Sequence, residues 1–338
     1  MGHSPVPRSF ASVRLISVLI PCFNEEEVLG QLAERLTRAA DSWGVPWEAV
    51  LVDDGSTDST WSAIEEFNRR DPRFKGIALA RNFGHQTALW TAIHAAGGDV
   101  IVVLDADLQD PPEQLPLFFA KWAEGFDVIY AIRRNRKESV FLRATYFLFY
   151  RLLRSLSDTK IPLDSGDFCV MDRVVVDELR RMPESQRFVR GLRSWVGFRQ
   201  TGVEYDRAAR AAGEPKYTVR KLIGLALDGL LSFSTVPLRL ATYFGLSISV
   251  LAFLGAIFTL LQRIFAEQFT RIGLAPVPGF ATTVISILFL GGIQLLCLGI
   301  LGEYLARIYE NVKGRPPWVI RATAGIESPA SERRYPIA

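Results

Sequence analysis

The chain has 338 residues, of which 49% are hydrophobic and 22% are charged, and its formal net charge is +3. This composition excludes a disordered chain. The small net charge, with no basic stripe in the first half, argues against a nucleic-acid partner. The three cysteines are far apart and have no histidine at ligand spacing, so neither a zinc site nor a disulfide framework is expected.

The first half of the chain alternates between strand and helix patterns. Residues 1–14 are expected to be a flexible tail. Buried strands are then predicted at residues 15–20, 49–52, 76–80 and 100–104. Helices are predicted between them, at residues 25–41, 59–69 and 86–96. Because strands joined by single helices favour right-handed crossovers, the sequence predicts an α/β fold with a mostly parallel sheet.

A polar loop follows each of these four strands. The loops are at residues 21–25, 53–58, 81–84 and 105–110. Since successive strands of a parallel sheet end at one edge, we expect the four loops to meet in a single crevice. The phosphate-binding glycine patterns of dinucleotide-binding and P-loop proteins are missing from the sequence, which argues against those two classes.

The fourth loop carries the clearest chemical signal. Asp105 and Asp107 follow an apolar strand, with Gln109 just beyond. An isolated Asp-x-Asp is more often a solvated acidic turn, but here it has three polar loops as predicted neighbours. Hard oxygen donors of this kind suit Mg²⁺ or Mn²⁺ brought by a phosphate-bearing substrate.

Two later stretches are apolar enough to cross a bilayer. Residues 240–261 and 280–301 contain no charged side chain, and each has about the 20 apolar residues that a crossing needs. The alternative is a buried helical hairpin in a soluble protein. The mean hydropathy of +0.16 favours the membrane interpretation.

Basic residues flank this pair of stretches more densely than they occupy its connecting loop. They are Arg220, Lys221 and Arg239 before it, Arg307, Lys313, Arg315 and Arg321 after it, and Arg263 and Arg271 in the loop. The positive-inside bias therefore predicts a multi-pass protein of the plasma (inner) membrane, with both termini and the sheet domain cytoplasmic.

The remaining segments are assigned by composition. Residues 138–156 combine arginines with aromatic side chains, which fits an interfacial helix on anionic lipid and equally a core-facing helix with solvated arginines. Residues 217–235 are expected to form an amphipathic juxtamembrane helix. Residues 307–338 are expected to be a cytoplasmic tail.

The motifs together resemble those of family 2 glycosyltransferases. The resemblance is carried by PCFNE at 21–25, DDGSTD at 53–58, RNFG at 81–84, DADLQDPP at 105–112, SGDF at 165–168 and GEPKY at 213–217. It covers nearly all of the chain except the tails. Within the family it is greatest for the polyprenyl-phosphate glycosyltransferases, such as GtrB-type bactoprenol glucosyltransferases and dolichyl-phosphate mannose synthases.

The resemblance implies a GT-A fold, which is Rossmann-like, over residues 15–216. It implies a metal at Asp107 and Gln109, Asp105 near the ribose or donor sugar, and Asp167 facing the acceptor; we count Asp105 and Asp167 as the catalytic candidates. The expected nucleotide-sugar site consists of Pro21, Asn24, Glu25, Asp53, Asp54, Ser56, Arg81, Asn82, Gly84, Asp105 and Ala106.

The acceptor chemistry qualifies the role of Asp167. A phosphate monoester loses its second proton near pH ~6, so it is already a nucleophile at neutral pH and has less need of a general base. Asp167 then orients the acceptor, senses the metal or caps a turn. Cationic candidates for the acceptor phosphate are Arg133, Arg207, Arg210 and Lys216.

These features predict inverting transfer of one hexose, with UDP-glucose as the favoured donor, to undecaprenyl phosphate or a similar polyprenyl phosphate in the bilayer. The alternatives are a GDP-mannose-dependent mannose synthase, a processive polysaccharide synthase, which the two spans disfavour, and a catalytically inactive membrane assembly partner. The oligomeric state, including a homo-oligomer, stays open.

Overall fold

The computed structural model describes residues 6–133, 165–183, 188–205, 236–274 and 279–326. The expected interfacial helix at 138–156 and juxtamembrane helix at 217–235 lie outside these ranges. The chain divides into two compact units. Residues up to 205 and after 314 belong to the first unit among the described residues, and residues 236–314 belong to the second.

The described part of the first unit contains one mixed eight-stranded sheet. Its strands are β1 (Ile16–Cys22), β2 (Trp47–Asp53), β3 (Phe74–Leu79), β4 (Val100–Val103), β5 (Val128–Arg133), β6 (Ser165–Asp172), β7 (Gln200–Tyr205) and β8 (Ile320–Ala324). They lie in the order β7-β5-β6-β4-β1-β2-β3-β8. Strands β4, β1, β2 and β3 are mutually parallel, whereas β6 and β8 pair antiparallel with their neighbours.

Helices accompany the sheet. They are α1 (Glu26–Ala40), α2 (Thr60–Arg70), α3 (His85–Ala95), α4 (Leu115–Ala123), α5 (Arg173–Arg180) and α6 (Val189–Trp195). Every residue of β1 and β2 is buried, as parallel strands with helices on both faces must be. The α/β class with a largely parallel sheet is confirmed, and the four strands and three helices predicted in the first half all form, with each end within two residues.

The expected tail at residues 1–14 is wrong for its described part. The backbone N–H of Arg8 donates to the carbonyl oxygen of Ala123 at 2.7 Å. The Phe10 ring packs against Phe119 with a centroid distance of 5.1 Å, and Val13 is buried. This segment is short and has no periodic hydrophobic pattern. Its docking could not be predicted from the sequence, because it depends on contacts with α4, which is distant in the chain.

The expected tail at residues 307–338 is also wrong in part. Strand β8 pairs antiparallel with β3, and the backbone N–H of Ala80 donates to the carbonyl oxygen of Val319 at 2.8 Å. Without β8 the backbone groups of β3 would form an exposed sheet edge, which folded proteins generally cover. The sequence of β8 is short and only weakly apolar, which is why it gives no strand signal on its own.

The second unit contains α7 (Val236–Ile264), α8 (Ala266–Arg271) and α9 (Phe280–Val312). The windows Ala241–Ile264 and Phe289–Val312 have mean hydropathies of 2.3 and 1.6, and neither window is buried in the protein. A helix rises about 1.5 Å per residue, so the 29 residues of α7 and the 33 residues of α9 exceed the roughly 30 Å of a hydrocarbon core. By length and composition, both helices can cross a membrane.

The docking of the N-terminal segment can be tested at Arg8. Its guanidinium pairs with Asp127 and lies 3.0 Å from Asp172, and both carboxylates are nearly buried. We expect Arg8→Ala to lower the free energy of unfolding by about 1–3 kcal/mol, because it leaves both acceptors without their cation.

The matched control is Arg14→Ala, since Arg14 also pairs with an aspartate but is 87% exposed. It should cost no more than about 1 kcal/mol. Chemical unfolding of the solubilised full chain, followed by tryptophan fluorescence, measures both. Equal losses in the two variants would contradict a docked N-terminus.

Candidate active site

The first two polar loops are joined by hydrogen bonds. The backbone N–H of Asn24 donates to Ser56 Oγ at 2.9 Å, and Asn24 Oδ1 accepts from the backbone N–H of Thr57 at 2.9 Å. Asn24 has a φ of 54°, a left-handed conformation that asparagine tolerates better than most residues. The backbone N–H of Glu25 donates to Thr60 Oγ1 at 2.9 Å. The loops after β1 and β2 therefore form one connected rim.

The third loop is held by Asp54, which is buried. Its Oδ1 accepts from the backbone N–H of Phe83 at 2.7 Å, and its Oδ2 accepts from that of Gly84 at 2.9 Å. Burial raises the pKa of Asp54, against the opposing effect of these two donors. Asp54 was expected to contact the nucleotide sugar; with both oxygens engaged by the next loop, it positions that loop in this structure.

A close approach at Gly55 completes this connection. Gly55 has a φ of +68°, and a Cβ placed there would lie 2.4 Å from the carbonyl carbon of Arg81 and 2.6 Å from the nitrogen of Asn82. Arg81 itself is exposed, and its guanidinium lies 4.0 Å from the ring centroid of Phe83. Only a residue without a side chain lets the second and third loops come this near.

Besides Asp54 and Ala106, two more residues of the predicted donor site are buried. Asp53 is completely buried, and its Oδ1 accepts from the backbone N–H of Ser56 at 2.9 Å. No described residue donates a hydrogen bond to its Oδ2, which lies 3.5 Å from Arg321 Nη2. Pro21 is buried within β1. The exposed members of the predicted set are Asn24, Arg81 and Asn82.

The fourth loop presents the carboxylate pair at the same edge of the sheet. Asp105 and Asp107 are partly exposed, and Ala106 between them is buried. Leu108 has a φ of 60°, which is strained for a residue with a side chain and is typical of functional loops. The backbone N–H of Gln109 donates to Asp107 Oδ1 at 3.2 Å.

The buried Asp110 holds the fourth loop in place. Asp110 is completely buried and accepts a short hydrogen bond from the hydroxyl of Tyr205, at the end of β7. This contact joins the fourth loop, which carries Asp107 and Gln109, to β7 at the edge of the sheet.

The donor set suits a divalent ion that arrives with its substrate. Among the described residues, no group of three histidine, cysteine, aspartate or glutamate side chains forms a ready ligand cage. Asp107 and Gln109 offer a carboxylate and an amide oxygen, and Mg²⁺ typically takes one or two protein oxygens together with substrate phosphates and water. The residues therefore fit a phosphate-borne ion better than a resident one.

A cluster around Asp167 faces this loop from β6. Arg190 holds the nearly buried Asp167 with two hydrogen bonds, Nε to Oδ1 at 2.7 Å and Nη2 to Oδ2 at 2.9 Å. Gln86 Nε2 donates to Oδ2 at 3.4 Å, while Gln86 Oε1 accepts from the backbone N–H of Val189. His85 Nε2 lies 3.5 Å from Asp167 Oδ2 and 3.7 Å from Asp105 Oδ1.

Neighbouring charges favour the ionised forms of Asp167 and His85 in this cluster. Burial disfavours the charged form of Asp167, but the charge and hydrogen bonds of Arg190 outweigh it and hold the pKa of Asp167 well below its usual range. Burial also opposes the charge on His85, yet Asp167 and Asp105 raise its pKa to about 9. Desolvation raises the pKa of Asp105. At neutral pH, a protonated His85 thus lies between the side chains of Asp167 and Asp105.

The sequence patterns missed the residues that hold this cluster together. Arg190 stands at no motif spacing, and only the fold brings it to the crevice; the same holds for Arg321, which lies beside Asp53. His85 and Gln86 directly follow the RNFG motif at 81–84, but the motif assigned them no role. For Arg190, the one available signal was its place in a basic run that continues to Arg193.

The predicted acceptor residues are only partly described. Arg133 ends β5, with its backbone opposite Tyr205 of β7. Arg207, Arg210 and Lys216 lie outside the described residues. Their roles stay predictions.

Comparison with known proteins now gives the family. The family model for glycosyl transferase family 2 matches residues 17–180. An uncharacterized glycosyltransferase of Bacillus subtilis, YkcC, is 43% identical over 313 residues, which is 92% of this chain and 95% of the relative. The chain belongs to glycosyltransferase family 2.

Two further relatives carry a more specific name. The SfII prophage-derived bactoprenol glucosyl transferase of Shigella flexneri is 40% identical over 90% of this chain and 97% of its own length. The prophage bactoprenol glucosyl transferase homolog of Escherichia coli K12 is 39% identical over 90% of this chain and 98% of its own. The family expected from the motifs is thus confirmed over almost the whole chain.

Among solved structures, glucosyl-3-phosphoglycerate synthase from Mycobacterium tuberculosis, in complex with Mn²⁺, UDP and glucosyl-3-phosphoglycerate, aligns with a TM-score of 0.46 and 19% identity. The alignment covers 64% of this chain and 78% of that chain.

The close approach at Gly55 can be tested by adding a single methyl group. In Gly55→Ala the new Cβ would overlap the Arg81–Asn82 backbone, so we expect the third loop to move and the sugar-transfer rate to fall at least about tenfold.

Gly44→Ala is the matched control, because Gly44 has a nearly identical φ of +70° but nothing within 4 Å of its Cβ position. Both variants bear the left-handed strain of about 1–2 kcal/mol. Only Gly55→Ala should lose transfer; an equal loss in Gly44→Ala would assign the effect to backbone strain.

Proposed function

We propose that the chain transfers a single hexose, with inversion at the anomeric carbon, from a nucleotide diphosphate sugar to the phosphate of a polyprenyl phosphate such as undecaprenyl phosphate. UDP-glucose is the favoured donor. The observation that carries the proposal is the meeting of Asp105, His85 and Asp167 at the edge of the sheet where the polar loops end. The names of the bactoprenol glucosyl transferase relatives support the same acceptor and sugar.

The donor site is assigned to the connected loops. The nucleoside lies along the rim formed by the loops after β1 and β2, where Asn24 and Ser56 are hydrogen-bonded. We assign the diphosphate to Arg81 and Asn82, which are exposed on the third loop. Asp54 acts through the third loop that it braces.

Asp107 and Gln109 would hold the Mg²⁺ or Mn²⁺ ion. When bound, the ion supplies charge stabilisation for the departing nucleoside diphosphate. The chain's own part is to hold the loop that carries these oxygens, and we assign this role to Leu108, with its left-handed backbone, and to the buried Asp110, which Tyr205 contacts.

The transfer itself is a single displacement. An oxygen of the acceptor phosphate forms a bond to the anomeric carbon, and the bond from that carbon to the diphosphate oxygen breaks, so the configuration inverts. A phosphate monoester is largely dianionic at neutral pH, and no proton has to be removed. This removes the need for Asp167 as a base, and its ionised state with both oxygens engaged supports an orienting role.

The acceptor must be reached at a membrane. Helices α7 and α9 are long and apolar enough to span the bilayer, and the basic residues on their flanks favour a plasma-membrane protein with its sheet domain in the cytoplasm. Anchoring confines the crevice to the plane of the lipid headgroups, which raises the effective concentration of the acceptor.

The direct test is to incubate the purified full chain with a panel of nucleotide sugars and undecaprenyl phosphate, and to measure the mass of the lipid product. We expect one added hexose from UDP-glucose, dependent on Mg²⁺ or Mn²⁺. Asp107→Ala should lower the rate at least about 100-fold and still fractionate with membranes.

Glu113→Ala is the matched control. It removes a nearby carboxylate, about half exposed, whose partner is Arg35, and it should keep the wild-type rate. If only GDP-mannose supported transfer, the donor would be GDP-mannose and the assignment of UDP-glucose would be wrong. Full activity in Asp107→Ala would contradict the metal role, and failure of every donor would contradict the enzyme itself.

The orienting role of Asp167 can be tested with a double-mutant cycle. If Arg190 and Asp167 act as one unit, Asp167→Asn and Arg190→Gln should each lower kcat by about 100-fold, and the double variant should be no worse than either single one. Steady-state rates of lipid glycosylation give the cycle.

A general base would behave differently. Asp167→Asn would then be far slower than Arg190→Gln, and the two losses would come close to adding. Circular dichroism of each variant confirms that the sheet is retained.

A further inference from the structure

Strand β8 is firmly attached to the sheet although it follows the apolar helices in the chain. It pairs with β3 from Ile320 to Ala324, and its neighbour Trp318 packs on His94 of α3 with a centroid distance of 5.2 Å. Just after the strand, Gly325 has a φ of +67°, and a Cβ there would lie 2.2 Å from Asn68 Nδ2. The segment is therefore fastened at both ends.

The pairing of β8 with β3 brings the guanidinium of Arg321 close to the buried carboxylate of Asp53. Arg321 Nη2 lies 3.5 Å from Asp53 Oδ2, and Asp53 is 0% exposed while the Arg321 side chain is 50% exposed. Within the part of the chain that the structure describes, the Oδ2 atom has no hydrogen-bond donor. An ionised carboxylate in such a position is costly unless a cation stands near it, and the guanidinium of Arg321 meets that need.

Asp53 in turn shapes the predicted donor site. Its Oδ1 accepts from the backbone N–H of Ser56, and Ser56 Oγ accepts from the backbone N–H of Asn24. A continuous series of contacts thus runs from Arg321 through Asp53 and Ser56 to Asn24. A change in the position of Asp53 would move both loops of the rim.

We propose that Arg321 is a positioning residue of the donor site: the strand after the apolar helices supplies the cation that holds Asp53, and through it the nucleoside-binding rim. The inference rests on the proposed function, because it assigns a role within the donor site. It makes residues 318–325 part of the machinery that binds a nucleoside diphosphate.

The experiment measures UDP binding to the purified full chain by isothermal titration, together with steady-state kinetics. Arg321→Ala should raise the Kd of UDP and the KM of the donor about tenfold, and kcat should change less than about twofold. Arg321→Lys keeps the charge and should recover most of the affinity. Arg315→Ala changes an exposed arginine that precedes residues 318–325; it is the control and should bind UDP as the wild type does.

A cycle with Asp53→Asn tests whether Arg321 acts through Asp53. In the Asp53→Asn background, Arg321→Ala should have almost no further effect on the Kd of UDP. Independent, additive losses would overturn the proposal, and so would wild-type Kd and KM in Arg321→Ala or a loss confined to kcat. Should Arg321→Ala fail to fold, Arg321→Lys and the Asp53→Asn pair still give the comparison.

Different outcomes contradict the proposed donor site and the role of Arg321. If the wild type binds neither UDP nor GDP, the donor site of the proposed function is wrong and the inference is overturned with it. If the wild type binds UDP and Arg321→Ala binds it equally well, only the role of Arg321 is overturned.

Discussion

The parallel hydrogen bonding of β4, β1, β2 and β3 is the constraint on which the site depends. It brings four consecutive strand ends to one edge of the sheet, where backbone groups are no longer paired within the sheet and the chain must turn. Polar and acidic loops are tolerated there because they can hydrogen-bond to one another. The chemistry of the crevice follows from this shared edge.

An edge rich in carboxylates is stable only if cations and N–H donors balance it. Asp54 is held by backbone donors, Asp167 by Arg190 and Asp53 by its approach to Arg321. These partners come from α6 and β8, which are remote in the chain from the loops that they stabilise. The acidic site is thus assembled from local turns and long-range cations.

The sequence could predict the features that depend on local patterns, but not those that depend on long-range contacts. Strands β1 to β4 are continuous apolar runs that end in turn-forming residues, so period and composition located them and the loops after them. The roles of His85 and Arg190 depend on tertiary distances that no spacing encodes. Strand β8 was not predicted because its pairing with β3, and not its own sequence, makes it a strand. The hydrogen bonds that Asp54 accepts from Phe83 and Gly84 could not be predicted either, because these donors lie in another loop; its contact with the nucleotide sugar stays a prediction.

The place of β8 in the sheet has a consequence for how the protein matures. The chain leaves the sheet domain, forms α7 and α9, and then returns a strand to the edge of the same sheet. A chain that crosses a bilayer can do this only after an even number of passages. If α7 and α9 both span a bilayer, the sheet would stay unfinished during synthesis until both had crossed, and a molecule in which only one helix had crossed would be left with an open edge at β3. Closure of the β3 edge would then distinguish one passage of the chain from two, but not two passages from none.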